Sequence, residues 1–497
     1  MSNIRTLALA ALSALSTSTC SAQDAGDPPQ PSKAEAEQLI QDGDRAADQA
    51  DYKSALEHYT QAYHAKVSEV RGQKFSKRVL PSLMTREELG KEMLDQVKKE
   101  YTVDELAMID NSYKAFGLIP RPLSTGNLMA KLLTEEVGGF YDPDNKRMVL
   151  ILEKGSDKDP GFLGRLLGAK KAFDKEEQKT VLAHEMTHAL QDQLYDLNAM
   201  QKRIEKDDDM SLAFSALVEG DATLLMFAET GEQDVTKMDV DAMRSTFQLM
   251  TWMMPVAGGK TYRSAPAIFR DSLIFPYLQG MLFNLSLANR QGWPGVHAAY
   301  ADPPTSTEQI LHPKKYFSQT ERDEPRSVSI PSLTEIVGEE WKHLGGNCLG
   351  EFQTAILLRS ERTSKRASEG WDGDWYEVFH RPDETLGLVW VSVWDSETDA
   401  TEFADTYHQY RTPAALKKKT KQNPDKESSA SDPDIKDPTK PWPFSEESVR
   451  YVEAEGDRVH IIEGFDQAAT DRIIAALKNV MISDKRFPPA SKPEPSK

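Results

Sequence analysis

Apolar residues recur at intervals of three and four over long parts of this sequence, the spacing that places them on one face of an α-helix. The pattern predicts two short antiparallel helices in residues 33–65 and two more in residues 85–116. In the second pair, Thr85 precedes Glu88 and Thr102 precedes Glu105, both at the spacing of a capping box, which marks a helix start. Further helices are predicted at residues 176–195, 211–229, 243–255 and 267–289.

Strand patterns fall in two regions. Residues 138–152 consist of two apolar runs on either side of Asp-Pro-Asp-Asn, which predicts a β-hairpin. After residue 331, strands and helices alternate in an order typical of a small α/β sandwich, and a ferredoxin-like arrangement is one form of it. The elements predicted there are helices at 349–359, 398–411 and 468–480, and strands at 386–394, 448–455 and 458–463. The expected fold class is α+β.

The N-terminus has the composition of an export signal. Residues 1–22 hold a short basic start, an apolar run and small residues, the layout of a secretory signal peptide. Cleavage after Ala22 competes with lipidation of Cys20, and Thr17, where a lipid-attachment motif normally has Leu, favours cleavage. We expect an exported protein, periplasmic or extracellular, with a membrane tether at Cys20 as the alternative. No later run reaches the roughly 18 apolar residues that span a bilayer.

The remaining chain is expected to contain three folded units. The first, residues 33–75, resembles one tetratricopeptide-type helix pair. Because no second copy follows and isolated repeats are unstable, we expect a helical hairpin that packs on the next domain. The full division is a linker at 23–32, the hairpin at 33–75, a mostly helical domain with the β-hairpin at 76–330, a C-terminal α/β domain at 331–485 with a disordered insertion at 417–443, and a disordered tail at 486–497.

Composition excludes several classes of function. The 497 residues include 60 Lys and Arg against 79 Asp and Glu, a formal net charge of −19. Phosphate backbones repel such a chain, so nucleic acid is not an expected partner. The chain has two cysteines, Cys20 and Cys348, and Cys20 lies in the export segment, which excludes a disulfide framework.

The strongest chemical signal is an HExxH sequence within the predicted helix at 176–195. Residues four apart lie on one helix face about 5–6 Å apart, so His184 and His188 can both bind one zinc ion. Glu185 then points beside the ion and can act as general base toward a water that the metal has acidified, later passing the proton to the leaving amine. The spacing predicts a catalytic zinc site.

A catalytic zinc needs a third protein ligand. The extended HExxHxxGxxH motif is excluded because Gln191 and Leu194 occupy its last two positions. We expect Glu219, on the following helix, to be the third ligand, and Asp221 to accept the outer N–H of a ligand histidine. The alternative exchanges these two roles. Gly220 costs a helix about 1 kcal/mol relative to Ala, which is understandable if backbone or substrate approaches closely there.

HExxH followed by a helix Glu resembles the gluzincin branch of zinc metallopeptidases. More closely, the segments TEEVGGFYDPDNKRMVLI, VLAHEMTHALQDQ, ALVEGDAT, FPYLQG and PPTSTEQILHPKKY resemble those of uncharacterised exported bacterial proteins classed as candidate metallopeptidases. The resemblance covers about residues 80–320. It implies a zincin-like fold, Zn²⁺ as cofactor and a protein or peptide substrate.

The resemblance also implies that a strand of the β-hairpin forms the edge of the cleft, where an extended peptide can add as a further strand. His312, held in a loop by the following proline, is our candidate for stabilising the tetrahedral oxyanion, and Tyr277 or Tyr316 could supply the same hydrogen bond. Two rival functions remain open. One is a catalytically silent zincin-like binding or assembly module of the cell envelope, and the other is hydrolysis of cell-wall or ester bonds.

Overall fold

The computed structural model describes residues 31–136, 139–142, 146–152, 175–230, 234–257, 260–318, 320–360, 363–411 and 448–489. The predicted signal peptide and insertion lie outside the described residues, as do all but the last two residues of the predicted linker. Within the described residues the protein is mixed α+β, as the sequence predicted.

Two helices open the described chain, α1 (Lys33–Asp48) and α2 (Tyr52–Arg71), as the apolar spacing predicted. Ser32 caps α1 in a capping box, and Gly72 ends α2 in the left-handed conformation that favours glycine. The buried face of α2 shares a hydrophobic core with the helix that carries HExxH. The hairpin therefore packs directly on the next domain.

In the central region, the helices that the sequence predicted are found to within a few residues of the predicted ranges. They are α3 (Arg86–Glu100), α4 (Val103–Phe116), α6 (Lys175–Tyr195), α8 (Asp208–Thr230), α9 (Val240–Ala257) and α11 (Ala267–Gln291). The sequence did not predict α5 (Thr125–Glu136), α7 (Leu197–Ile204), α10 (Lys260–Ser264), α12 (Trp293–Ala298), α13 (Thr307–Leu311) and α14 (Pro313–Phe317). Thr85 and Thr102 form the predicted capping boxes of α3 and α4.

A three-stranded sheet lies against α6. Its strands are β1 (Leu80–Thr85), β2 (Gly139–Asp142) and β3 (Arg147–Leu152), in the order β1-β3-β2. The predicted hairpin is confirmed as the antiparallel pair β2 and β3. Strand β1, parallel to β3, was not predicted, because its proline and lack of alternation weaken the local strand pattern.

Helices α8 and α11 cross with their backbones in close contact. A Cβ atom on Gly220 would overlap the backbone of Gly280, and a Cβ atom on Gly280 would overlap the carbonyl of Ala216. The expectation that a close approach explains Gly220 is therefore confirmed, and the approaching group is backbone. Of the described helices, α8 alone is long and apolar enough to cross a membrane, and 94% of that apolar stretch is buried inside the protein.

The C-terminal unit is built on a five-stranded antiparallel sheet. Its strands are β5 (Lys342–Asn347), β6 (Trp371–His380), β7 (Leu386–Trp394), β8 (Arg450–Glu455) and β9 (Arg458–Glu463), in the order β5-β6-β7-β9-β8. The suggested ferredoxin-like arrangement is wrong, because the first three strands are sequential neighbours. Sequence analysis missed β5 and β6, which contain Gly and Asp residues that are rare in strands.

Apolar side chains cover both faces of this sheet. The surrounding elements are β4 (Arg326–Ser329), α15 (Thr334–Val337), α16 (Gly350–Leu358), α17 (Ser364–Ser368), α18 (Glu397–Arg411), α19 (Gln467–Leu477) and β10 (Met481–Asp484), and β4 pairs with β10. The predicted disordered tail starts too early. Phe487 packs against Phe214 of α8 and under the guanidinium of Arg203, and residues 490–497 lie outside the described part.

Candidate metal centre

Helices α6 and α8 bring three potential metal ligands together. His188 Nε2 lies 3.0 Å from His184 Nε2, and Glu219 Oε2 lies 3.1 Å from His184 Nε2 and 3.2 Å from His188 Nε2. All three side chains are buried. The predicted ligand set is therefore grouped by the structure, and Glu219, not Asp221, is the carboxylate that meets the histidines.

The spacing of these three atoms suits a tetrahedral ion. Zinc binds His nitrogen at about 2.0–2.1 Å and carboxylate oxygen at about 2.0–2.2 Å, which places tetrahedral ligand atoms about 3.3 Å apart. The observed separations of 3.0–3.2 Å approach this value without rearrangement of the helices. Two imidazoles and one carboxylate also form a donor set that zinc prefers.

Gln191 determines which nitrogen of His188 faces the centre. Its Nε2 donates to the carbonyl of Val218 at 3.0 Å and to Asp221 Oδ2 at 2.9 Å, so its Oε1 is an acceptor. That oxygen lies 2.8 Å from His188 Nδ1, which therefore carries the proton. With the Nδ1 proton held by Gln191, the neutral form of the imidazole directs the lone pair of Nε2 toward His184 and Glu219.

This relay corrects the predicted role of Asp221. We expected a direct bond from a ligand histidine to Asp221, whereas Gln191 stands between His188 and that carboxylate. Asp221 also accepts hydrogen bonds from Arg71 and Tyr300. From the sequence alone, Gln191 was identified only as the residue that excludes a longer motif. Its position three residues after His188, on the same helix face, was the available signal.

The centre is electrostatically suited to a cation. Burial opposes ionisation of Glu219, but His188 and His184 hold the pKa of its carboxyl group well below the usual range. Burial also favours neutral His188, but the Glu219 carboxylate outweighs it and raises the pKa of His188 to about 9. A buried anion thus stabilises positive charge between the two helices.

Glu185 lies beside the three ligands and takes no part in their contacts with one another. Its Oε2 accepts the backbone N–H of Tyr141, on strand β2, at 2.9 Å. Burial raises the pKa of Glu185, partly opposed by the two histidines. A carboxylate with a raised pKa is a better proton acceptor near neutral pH.

Strand β2 lies beside the candidate metal centre and Glu185. It is the outermost strand of its sheet within the described residues. The N–H of Tyr141 points away from β3 toward Glu185, so the outer side of β2 faces α6. The Tyr141 hydroxyl donates to Asp192 at 3.1 Å, and Lys146 also contacts Asp192 at 2.7 Å. These contacts fasten the hairpin along the HExxH helix.

The structure separates the three candidates for oxyanion stabilisation. His312 Nε2 lies 2.9 Å from Glu351 Oε1 in the C-terminal unit. The Tyr316 hydroxyl donates to the backbone carbonyl of Asp302 at 2.6 Å. Tyr277 of α11 lies at the metal centre, with its ring nearly parallel to that of His184 and the ring centroids 5.9 Å apart.

His312 lies away from the candidate metal centre, near the start of α8. Glu351 follows Gly350, which packs against Asp209 at the start of α8. Glu219 lies ten residues further along that helix, about 15 Å at 1.5 Å per residue. The geometry therefore gives no support to the predicted oxyanion role of His312.

Two other groups of potential ligands occur among the described residues. Asp207, Asp209 and Cys348 form one, and Glu308, Asp323 and Asp395 form the other. A lysine amine already occupies each: Lys485 contacts both aspartates of the first group, and Lys315 contacts all three carboxylates of the second. These groups are ion-pair clusters.

Comparison with known protein families gives a match to the C-terminal unit. A family described as a domain of unknown function (DUF8575) matches residues 340–474, a range that includes the five-stranded sheet of the C-terminal unit. No curated protein and no solved structure matches the chain.

Proposed function

We propose that this protein is a zinc-dependent metallopeptidase of the gluzincin type, with His184, His188 and Glu219 as zinc ligands and Glu185 as general base. The observation that carries the proposal is the convergence of three ligand atoms at 3.0–3.2 Å, with a separate buried carboxylate beside them. A purely structural zinc site has no need of an additional base and more often closes its fourth position with Cys or His.

The contacts at the site suggest a separate role for the metal ion and for each residue. When bound, zinc supplies Lewis acidity, which lowers the pKa of water and polarises a carbonyl group. Glu185 accepts the proton of the attacking water and passes it to the leaving amine. The hydrogen bond from the Tyr141 N–H keeps the Glu185 carboxylate at the border between the metal centre and strand β2.

A peptide substrate is supported by the position of β2. It is the outermost strand of its sheet within the described residues, and an extended peptide bound alongside this strand, at the metal centre, would run past Glu185. Main-chain hydrogen bonds of this kind bind many sequences, because they do not depend on side chains. We therefore propose protein or peptide substrates.

Tyr277 is our proposed oxyanion donor. Its ring centroid lies 5.9 Å from that of His184, nearer to the proposed ligands than the contacts of His312 with Glu351 or of Tyr316 with Asp302 place those two residues. A tyrosine hydroxyl within hydrogen-bond distance of the substrate oxygen stabilises the negative charge that develops there. We also propose that the protein acts outside the cytoplasm, on the basis of the sequence of residues 1–22.

The decisive experiment compares the full mature chain with Glu185→Gln at equal zinc content, using a fluorescently labelled unfolded protein as substrate. Both proteins should bind about one zinc ion, because Glu185 is not a ligand. Hydrolysis should fall by at least 10²-fold in Glu185→Gln, within the range typical of losing a general base.

Each other outcome has a definite meaning. Zinc binding without hydrolysis in either protein would favour the silent binding or assembly module. Cleavage of a generic ester or a cell-wall polymer instead of protein would keep the site and change the substrate class. Absence of zinc binding by the wild type would overturn the proposed site.

A further inference from the structure

The end of α2 inserts an arginine into the central domain. The side chain of Arg71 is 1% exposed and donates to Asp221 Oδ1, itself fully buried. The guanidinium carbon lies 4.7 Å from the centre of the Trp293 ring, a cation–π contact. A buried carboxylate facing a buried guanidinium depends strongly on that partner, because removal of one member leaves an uncompensated charge.

Asp221 connects this arginine to a metal ligand. Its Oδ2 accepts from Gln191 Nε2 and from the Tyr300 hydroxyl, both at 2.9 Å. Gln191 Oε1 accepts from His188 Nδ1 at 2.8 Å. A continuous chain of side chains therefore runs from Arg71 through Asp221 and Gln191 to His188.

His297, which also contacts the guanidinium of Arg71, does not compete with Asp221 for its positive charge. His297 Nδ1 lies 3.3 Å from the guanidinium and 2.6 Å from the Tyr195 hydroxyl. Burial and the charge of Arg71 lower the pKa of His297, so this histidine is neutral and accepts hydrogen bonds. Without Arg71, Asp221 would be a buried carboxylate that has lost its charged partner, and its bond with Gln191 would change. Such a change would alter the position of the acceptor that orients His188.

We propose that Arg71 is a positioning residue of the metal centre, and that the N-terminal helical hairpin is consequently part of the metal site. This inference rests on the proposed function, because it concerns the affinity of His188 for zinc. Partners that orient a ligand histidine typically account for 10–100-fold in metal affinity. The hairpin contributes such a partner from a segment that sequence analysis treated as a separate unit.

The test is zinc affinity in the full mature chain, measured by competition with a chromophoric chelator at constant pH and well below the unfolding temperature. The variants are Arg71→Met and Arg71→Lys, and the matched control is Lys66→Met. Lys66 pairs with Glu229, so this control breaks another ion pair between the same two helices, α2 and α8. Arg71→Met should bind zinc 10–100-fold more weakly, and Lys66→Met should remain within about threefold of wild type.

A second comparison tests whether Arg71 affects zinc affinity through Gln191. Gln191→Leu cuts the relay and leaves the bond between Arg71 and Asp221 in place. In the Gln191→Leu background, Arg71→Lys should produce no further loss of zinc affinity, whereas in the wild-type background it should produce a measurable one. If Arg71→Met does not fold, this cycle with the milder Arg71→Lys decides the question.

The outcomes separate the two proposals. Equal zinc affinities of Arg71→Met and Lys66→Met, with wild type binding one zinc ion, would overturn the positioning role and leave the proposed function standing. An undiminished effect of Arg71→Lys in the Gln191→Leu background would also overturn it. A wild-type protein that binds no zinc would overturn both.

Discussion

The ring of Tyr277 lies beside that of His184, a proposed zinc ligand, and this contact leads to our first prediction at the scale of single residues. Tyr277→Phe should lower kcat by about 10²-fold, the typical effect of losing one oxyanion donor, and should leave zinc affinity unchanged. Peptide hydrolysis by wild type and variant at equal zinc content provides the measurement.

Tyr316→Phe is the matched control for Tyr277→Phe. Its hydroxyl donates to the carbonyl of Asp302, so its loss should reduce the free energy of unfolding by about 1 kcal/mol and leave kcat unchanged. Equal kcat values for wild type and Tyr277→Phe would exclude Tyr277 as the oxyanion donor.

His312 provides a prediction about pH and stability. The hydrogen bond to Glu351 raises the pKa of His312 above 6.5, although burial opposes it. A histidine whose pKa is raised by folding contributes stability that is fully present below pH 6.5 and is lost as pH rises through the raised value. His312→Gln should therefore lower the free energy of unfolding more at pH 6 than at pH 9.5.

At pH 6, the free energy of unfolding of His312→Gln should be about 1 kcal/mol below that of wild type. Solvent screening limits the effect, because the His312 side chain is 37% exposed. Urea unfolding of wild type and variant at both pH values measures it. A loss of stability that does not depend on pH would contradict a charged His312. A large fall in kcat for His312→Gln would restore its predicted oxyanion role.

At the scale of helices, the crossing of α8 and α11 controls the position of Glu219, which adjoins Gly220. A methyl group at Gly220 would overlap the backbone of Gly280, and backbone cannot move aside as a flexible side chain can. Gly220→Ala should therefore reduce the free energy of unfolding by about 3 kcal/mol or more, and should weaken zinc binding through Glu219.

Gly126→Ala is the control for this prediction. Gly126 also lies in a helix, but a Cβ atom there would have ordinary contacts of 3.4–3.6 Å with Leu106 and Val97. Because Ala favours helix over Gly by up to about 1 kcal/mol, this variant should be as stable as wild type or slightly more stable. Equal stability of Gly220→Ala and wild type would mean that the helices are further apart than described.

At the scale of the whole molecule, Lys485 joins the C-terminal end of the described chain to the start of α8. Its amine lies 2.9 Å from Asp207 and 3.3 Å from Asp209, and the lysine and Asp209 are both buried. Lys485→Met should therefore lower the free energy of unfolding by about 3–5 kcal/mol, the usual result of removing one partner of a buried ion pair.

Arg486→Met serves as the control, because Arg486 is 77% exposed and its contact with Asp484 is a surface pair worth about 0–1 kcal/mol. Chemical unfolding of the three proteins at pH 7.5 compares them. If Lys485→Met and Arg486→Met were equally stable, the C-terminal end would not be anchored through this cluster.

Local sequence patterns were sufficient to predict most of the longer helices and part of the candidate metal site. The apolar spacing predicted α6, α8 and α11 because a helical face repeats every few residues, whatever lies against it. The pairing of His184 with His188 follows from the pitch of a single helix. The sequence by itself therefore determined the helical framework and two of the three potential zinc ligands, and it predicted Glu219 as the third.

Tertiary structure alone decided the contacts between distant parts of the chain. The relay through Gln191 to Asp221, the insertion of Arg71 and the placement of Tyr277 beside His184 each join different helices. The same limit explains the missed strand β1 and the incorrect ferredoxin-like suggestion, because strand partners are chosen across the chain. Spacing along a sequence determines which residues share a face, but only packing determines what that face meets.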